Sequence, residues 1–144
     1  MAITNRRVVT GLNEKGLGTV VFNDVLAELP NATPGFATAW HTPGFPADNS
    51  SNADTRDVDI APQFSNGSGI LFFSELEPGY SGPFHATNTL DFVFITRGQV
   101  RVVLEDGEAL VGPGDVIIDR GTSHQWNVVG DEAAVLRPSR FFEL

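Results

Sequence analysis

The apolar positions of this chain come in short bursts, without the three-and-four spacing of a long amphipathic helix. Gly69-Ile-Leu-Phe-Phe73, Val100-x-Val102-x-Leu104 and Val135-Leu136 are typical, and Gly, Pro, Asn and Asp separate the bursts. Runs of β-branched and aromatic residues bounded by turn formers read as strands. The pattern predicts strands over 18–22, 36–41, 70–77, 84–87, 91–96, 99–105, 108–111, 115–119, 124–129 and 133–142. It also predicts one short helix over 23–29, stopped by Pro30. Asp106-Gly107 is a strong hairpin signal, and Gly112-Pro113-Gly114 marks the next turn. Many short strands at this spacing predict an all-β sandwich or barrel.

Residues 42–68 break the rhythm, because Thr-Pro-Gly-Phe-Pro-Ala-Asp-Asn-Ser-Ser-Asn-Ala-Asp is turn chemistry without periodicity. The segment reads as a surface loop, the alternative being a flap over a pocket. A length of 144 residues suits one domain, with N-terminal strands and the long loop over 1–68 and a barrel core over 69–144. Hydrophobic residues at 41% and charged residues at 19% describe a globular chain. The formal charge of −9, with Lys15 the only lysine, repels phosphate backbones and anionic lipid, so neither nucleic acid nor membrane is an expected partner. With no cysteine, disulfides, thiolate nucleophiles and cysteine-type zinc sites are excluded. The opening residues lack the apolar stretch of a secretory signal and no run approaches a membrane span, so a cytoplasmic location is expected.

Only three histidines are available for chemistry. On a strand, His85 and Thr87 face the same way, and Asp91 opens the next strand, where it can lie beside them. Asp91, Val93 and Ile95 then share one face, and Phe92 and Phe94 the other. The stretch Gly79-x5-His85-x-Thr87-x3-Asp91-x6-Gly98 resembles the first motif of the cupins, with Thr87 in place of a second histidine and Asp91 in place of glutamate. Gly114-x9-His124-Gln-Trp126-Asn127 resembles the second motif, shortened by one residue and with Arg120 where a proline is usual. With Trp40-His-Thr-x3-Pro46-Ala-Asp48, the chain is similar to a group of small single-domain cupins that carry His-x-Thr…Asp and Arg-Gly-Thr-x-His-x-Trp.

The resemblance implies a double-stranded β-helix, a jelly-roll-like barrel with an N-terminal extension, and a catalytic set of His85, Asp91 and His124. Two imidazoles and a carboxylate can hold one divalent ion such as Fe, Mn, Zn or Ni while leaving positions open for substrate. The alternative is a metal-free site in which the histidines move protons directly. Thr87, Trp126, Arg120 and Phe94 are the expected substrate contacts, and His41, before a Pro-Gly turn, reads as a rim or surface residue. The expected function is a lyase, a decarboxylase or dehydratase, acting on a small organic acid or an aromatic or polyketide-like metabolite. The alternatives are an iron(II)-dependent dioxygenase and a non-catalytic small-molecule binding module. Exposed strand edges and ordered termini add the expectation of a homodimer.

Overall fold

The computed structural model describes residues 6–30, 32–56 and 67–142. Ten strands form in chain order among them: β1 (Arg6–Leu12), β2 (Gly18–Val25), β3 (Phe36–Thr42), β4 (Gly69–Leu76), β5 (Thr89–Arg97), β6 (Gln99–Leu104), β7 (Gly107–Val111), β8 (Val116–Asp119), β9 (His124–Val129) and β10 (Ala134–Phe142). They make a five-stranded sheet in the order β3-β4-β10-β5-β8, a three-stranded sheet β7-β6-β9 and a two-stranded ribbon β1-β2. The all-β class expected from the pattern is the class observed. No helix among the described residues is long and apolar enough to cross a membrane.

Three local expectations differ from the structure. The helix over 23–29 is a single 3-10 turn, Leu26–Glu28, because β2 runs on through Val25 opposite Arg6. The extra length is held by Arg7, which grips Asp24 across the ribbon at 2.6 Å. The strand over 84–87 shrinks to one isolated bridge, in which the backbones of His85 and His124 exchange hydrogen bonds of 3.0 Å. β1, which the pattern did not predict, makes its ladder with β2 alone, across Asn13–Leu17.

The two larger sheets face each other across the main core. Val93 and Ile95 of β5 and Ala134 and Leu136 of β10 pack against Val100 and Val128 of the three-stranded sheet. Alternation along β5 therefore buries Asp91, Val93 and Ile95 and turns Phe94 outward, as period-two side chains must. A second cluster, Leu26, Ala37, Ala39 and Phe73, seals the 3-10 turn onto the opposite face of β3 and β4.

The described part of the long loop is fastened to the N-terminal strands. The Asp54 carboxylate accepts from Arg7 at 2.8 and 3.0 Å, Asn52 donates to the Leu12 carbonyl at 2.8 Å, and the Thr55 hydroxyl donates to the His41 carbonyl. Arg56 donates to the Pro30 carbonyl at 2.7 Å. Residues 57–66 lie outside the described residues.

Candidate functional site

One line of cross-strand partners organises the inner face of the five-stranded sheet. His41 pairs with Ile70, Ile70 with Arg140, Arg140 with Asp91, and Asp91 with Asp119. Directly opposed residues in antiparallel strands project from the same face. The line thus carries four polar side chains across the sheet, with Asp91 2% exposed and His41 5% exposed. Beyond its end, the buried ring of His124 on β9 meets Asp119.

The Asp119–His124 contact is built by the turn between β8 and β9. Asp119 Oδ1 accepts the backbone N–H of Thr122 at 3.1 Å and its hydroxyl at 2.9 Å. That leaves Oδ2 3.0 Å from His124 Nδ1. The same Nδ1 lies 2.8 Å from the Thr122 carbonyl, which can only accept, so Nδ1 carries the proton and Nε2 presents a lone pair. Gly121 has a φ of +74°, and a Cβ there would come within 3.3 Å of the Thr87 carbonyl. The Arg-Gly-Thr-x-His run is therefore a structural device for locking an imidazole against a carboxylate.

His85 sits edge-on to His124 with ring centroids 4.4 Å apart. It is exposed, and its Nδ1 donates to the Pro83 carbonyl at 3.1 Å, so it too presents Nε2. Trp126 stands on the other side of His124, with centroids 4.8 Å apart, and packs into the main core. The expected neighbourhood of His85, His124 and Trp126 is thus present, with Asp119 added to it.

Asp91 differs from its expected role as third ligand. Its Oδ2 accepts from Arg140 Nε at 2.8 Å and Nη2 at 2.7 Å. Among the described residues no group of three or more His, Cys, Asp or Glu side chains is arranged to hold a metal ion. The residues described here do not fit the divalent-ion set of His85, Asp91 and His124, because the carboxylate beside the imidazole is Asp119 and Asp91 is neutralised by a guanidinium.

The remaining expected contacts divide. Thr87 is half-buried and its hydroxyl is bonded to that of Thr89 at 3.2 Å. Arg120 is exposed at the turn. Phe94 is 49% exposed on the outer face of β5, paired with Val116, and so does not wall this site. A cleft of about 320 Å³ does occur, but on the outer face, between β1 and the sheet, where Val8, Trp40, Leu71 and Phe141 line it.

His41 is the residue the sequence reading placed on the rim and the structure places inside. A bulge between Thr38 and Trp40 leaves Ala39 outside the ladder and shifts the alternation by one. Trp40 then opposes Leu71 and lines the outer cleft, while His41 opposes Ile70 on the inner face. Neither ring nitrogen of His41 has a hydrogen-bond partner among the described residues, nor does Asp91 Oδ1. Burial lowers the pKa of His41 below the ordinary value of 6.5, which favours the neutral ring.

Comparison with known proteins agrees with this architecture. A family model described as "Cupin domain" matches residues 72–137. The cupin-domain-containing oxidoreductase srdD of Neurospora crassa is 30% identical over 132 residues, covering 87% of this chain and 67% of that protein. Oryzines biosynthesis cluster protein J of Aspergillus oryzae is 31% identical over 105 residues, covering 69% of this chain and 59% of its own length. Among solved structures, the Schizosaccharomyces pombe Cnp3 cupin domain superposes with a TM-score of 0.57 at 13% identity, covering 96% of this chain and 88% of that one, a likeness of fold.

Proposed function

Since the chain belongs to the cupin domain family, we propose that it is a cupin enzyme of small-molecule biosynthesis, a lyase in which His124 and His85 move protons. The observation that carries the reading is the buried His124 ring held by Asp119 at 3.0 Å, with its Nε2 left for chemistry. A carboxylate behind an imidazole fixes its tautomer and offsets the positive charge the ring gains on taking a proton, as in other acid-base sites. Two imidazoles in edge contact provide one group to remove a proton and one to return it.

In a dehydration, one neutral ring takes the proton α to a carbonyl. The C–H electron pair forms the new double bond, and the other ring, protonated beforehand, delivers its proton to the departing hydroxyl, which leaves as water. In a decarboxylation of a β-oxo acid, the C–C pair forms the C=C of an enolate as carbon dioxide leaves, and a protonated ring then gives its proton to that carbon. Trp126 and the core behind it exclude water from His124.

A second reading is an oxidoreductase, favoured by the name of the Neurospora relative. The two are separated by incubating the purified chain with β-hydroxy carbonyl compounds and β-oxo acids, with and without oxygen, and following products by mass spectrometry. The lyase reading expects loss of water or carbon dioxide at the same rate under nitrogen. Products that form only in air, with oxygen consumed, would overturn it in favour of the oxidoreductase.

A further inference from the structure

We propose that the ligand of the inner face is an uncharged hydroxylated molecule, with one hydroxyl donating to Asp91 Oδ1 and a second oxygen function hydrogen-bonded to His41. The inference rests on the lyase reading of His85 and His124 and narrows it to dehydration, because a molecule that loses carbon dioxide carries the carboxylate this face disfavours.

Two buried polar groups on the same line of the sheet lack partners among the described residues: Asp91 Oδ1 and the His41 ring. Asp91 is 2% exposed and His41 5%, so bulk water does not readily satisfy them. A buried acceptor without a donor is costly, and a ligand that supplies the donor recovers that cost. Asp91 Oδ1 accepts only, so it calls for an O–H or N–H. A neutral imidazole offers one donor and one acceptor, so His41 suits a hydroxyl or carbonyl oxygen.

Charge decides against an acid. The line holds Asp91 and Asp119 as direct cross-strand partners and one guanidinium, Arg140, already committed to Asp91. Arg140 is 19% exposed in its side chain and lies over the Phe72 ring at 5.5 Å, which fixes it toward Asp91. A ligand carboxylate arriving here adds a third negative charge beside two carboxylates and one cation, in a chain of formal charge −9. A hydroxyl adds none. Asp91 and His41 stand three strand spacings apart, about 14 Å between backbones. Ile70 and Arg140 lie between them on the same line, so a ligand reaching both is of ring size or larger rather than a two-carbon fragment.

Three histidines give a readily assigned ring spectrum, so the test is a titration of the whole chain labelled with ¹⁵N-histidine. The probes share one skeleton: 4-hydroxybenzyl alcohol, 4-hydroxybenzoate and p-xylene. The expected result is that the diol binds at least tenfold more tightly than the other two and shifts the His41 ring together with His124. In Asp91→Asn the preference should invert toward the acid, since Arg140 is then uncompensated; should that variant not fold, the wild-type ranking decides alone. Equal or tighter binding of 4-hydroxybenzoate by the wild type overturns the proposal. So does a diol that shifts His85 and His124 but leaves His41 unmoved, an outcome under which the lyase reading survives. If no probe moves any histidine, the inference and the lyase reading fall together.

Discussion

Arg140→Met removes the guanidinium that holds Asp91 Oδ2 at 2.7–2.8 Å. The carboxylate remains, 2% exposed, with its other oxygen already unpartnered among the described residues. Breaking a buried ion pair from one side costs about 3–5 kcal/mol, because the surviving charge stays out of water without compensation. Unfolding entropy is about 2 cal/mol/K per residue, so for this chain a loss of that size lowers the melting temperature by roughly 10–17 °C. The double variant Arg140→Met/Asp91→Leu removes both charges and fills the space with apolar groups. It should recover most of the loss, since replacing such a pair with hydrophobic residues is often neutral. Urea and thermal unfolding of the wild type, the two single variants and the double variant complete the cycle. A single-variant loss of about 1 kcal/mol or less, the value of an exposed pair, would refute the reading of Asp91 as a buried, guanidinium-dependent carboxylate.

Three further outcomes are expected. Gly121→Ala forces a φ of +74° on a residue with a Cβ, against the Thr87 carbonyl at 3.3 Å; it should cost about 1–2 kcal/mol in chemical denaturation and change the His124 ring signals by NMR. His41 has its pKa lowered by burial, so below pH 6.5 the unfolded chain takes up a proton at this ring before the folded chain does; stability should fall as pH drops through that window, and His41→Gln should show a shallower fall in urea midpoint between neutral and mildly acidic pH. Arg7→Leu strands Asp24 and Asp54, which the guanidinium holds at 2.6 and 2.8 Å; limited proteolysis should then cut between residues 43 and 56 well before the barrel, whereas unchanged resistance would show that the loop is held by other contacts.

The core of the fold was legible because its signals are local. Alternation in β5 and β6, the Asp-Gly turn and the Gly-Pro-Gly turn each predict their element without outside help, and β5 to β10 lie where the pattern puts them. The His85–His124 pairing was legible through motif spacing. Asp119 was not singled out, although its position five residues before His124, ahead of Arg-Gly-Thr, is the signal of a carboxylate-capped turn. The Arg140–Asp91 pair depends on the register of β10 against β5, which is set by contacts 49 residues apart and leaves no mark on either strand alone. His41 was hidden by the bulge at Ala39: strict alternation from Ala37 and Ala39 groups the histidine with the outer face, and one extra residue reverses the assignment. The short helix over 23–29 lost to strand pairing because a local propensity yields to a ladder anchored by an ion pair.

The two ends of the inner line come from different stretches of the chain. Asp91, Asp119 and His124 fall inside the family-matched segment 72–137, whereas His41 and Arg140 fall on either side of it. On the proposed reading, the proton-moving rings lie in the central segment, while the ligand contacts are shared between Asp91 inside it and His41 outside it. On this reading, a relative that differs at the position of His41 would differ in the molecule it accepts while keeping the imidazole pair. Grafting the flanking strands of such a relative onto this centre should change ligand preference while leaving the reaction type unchanged, and a chimera with the original preference would show that His41 takes no part in recognition.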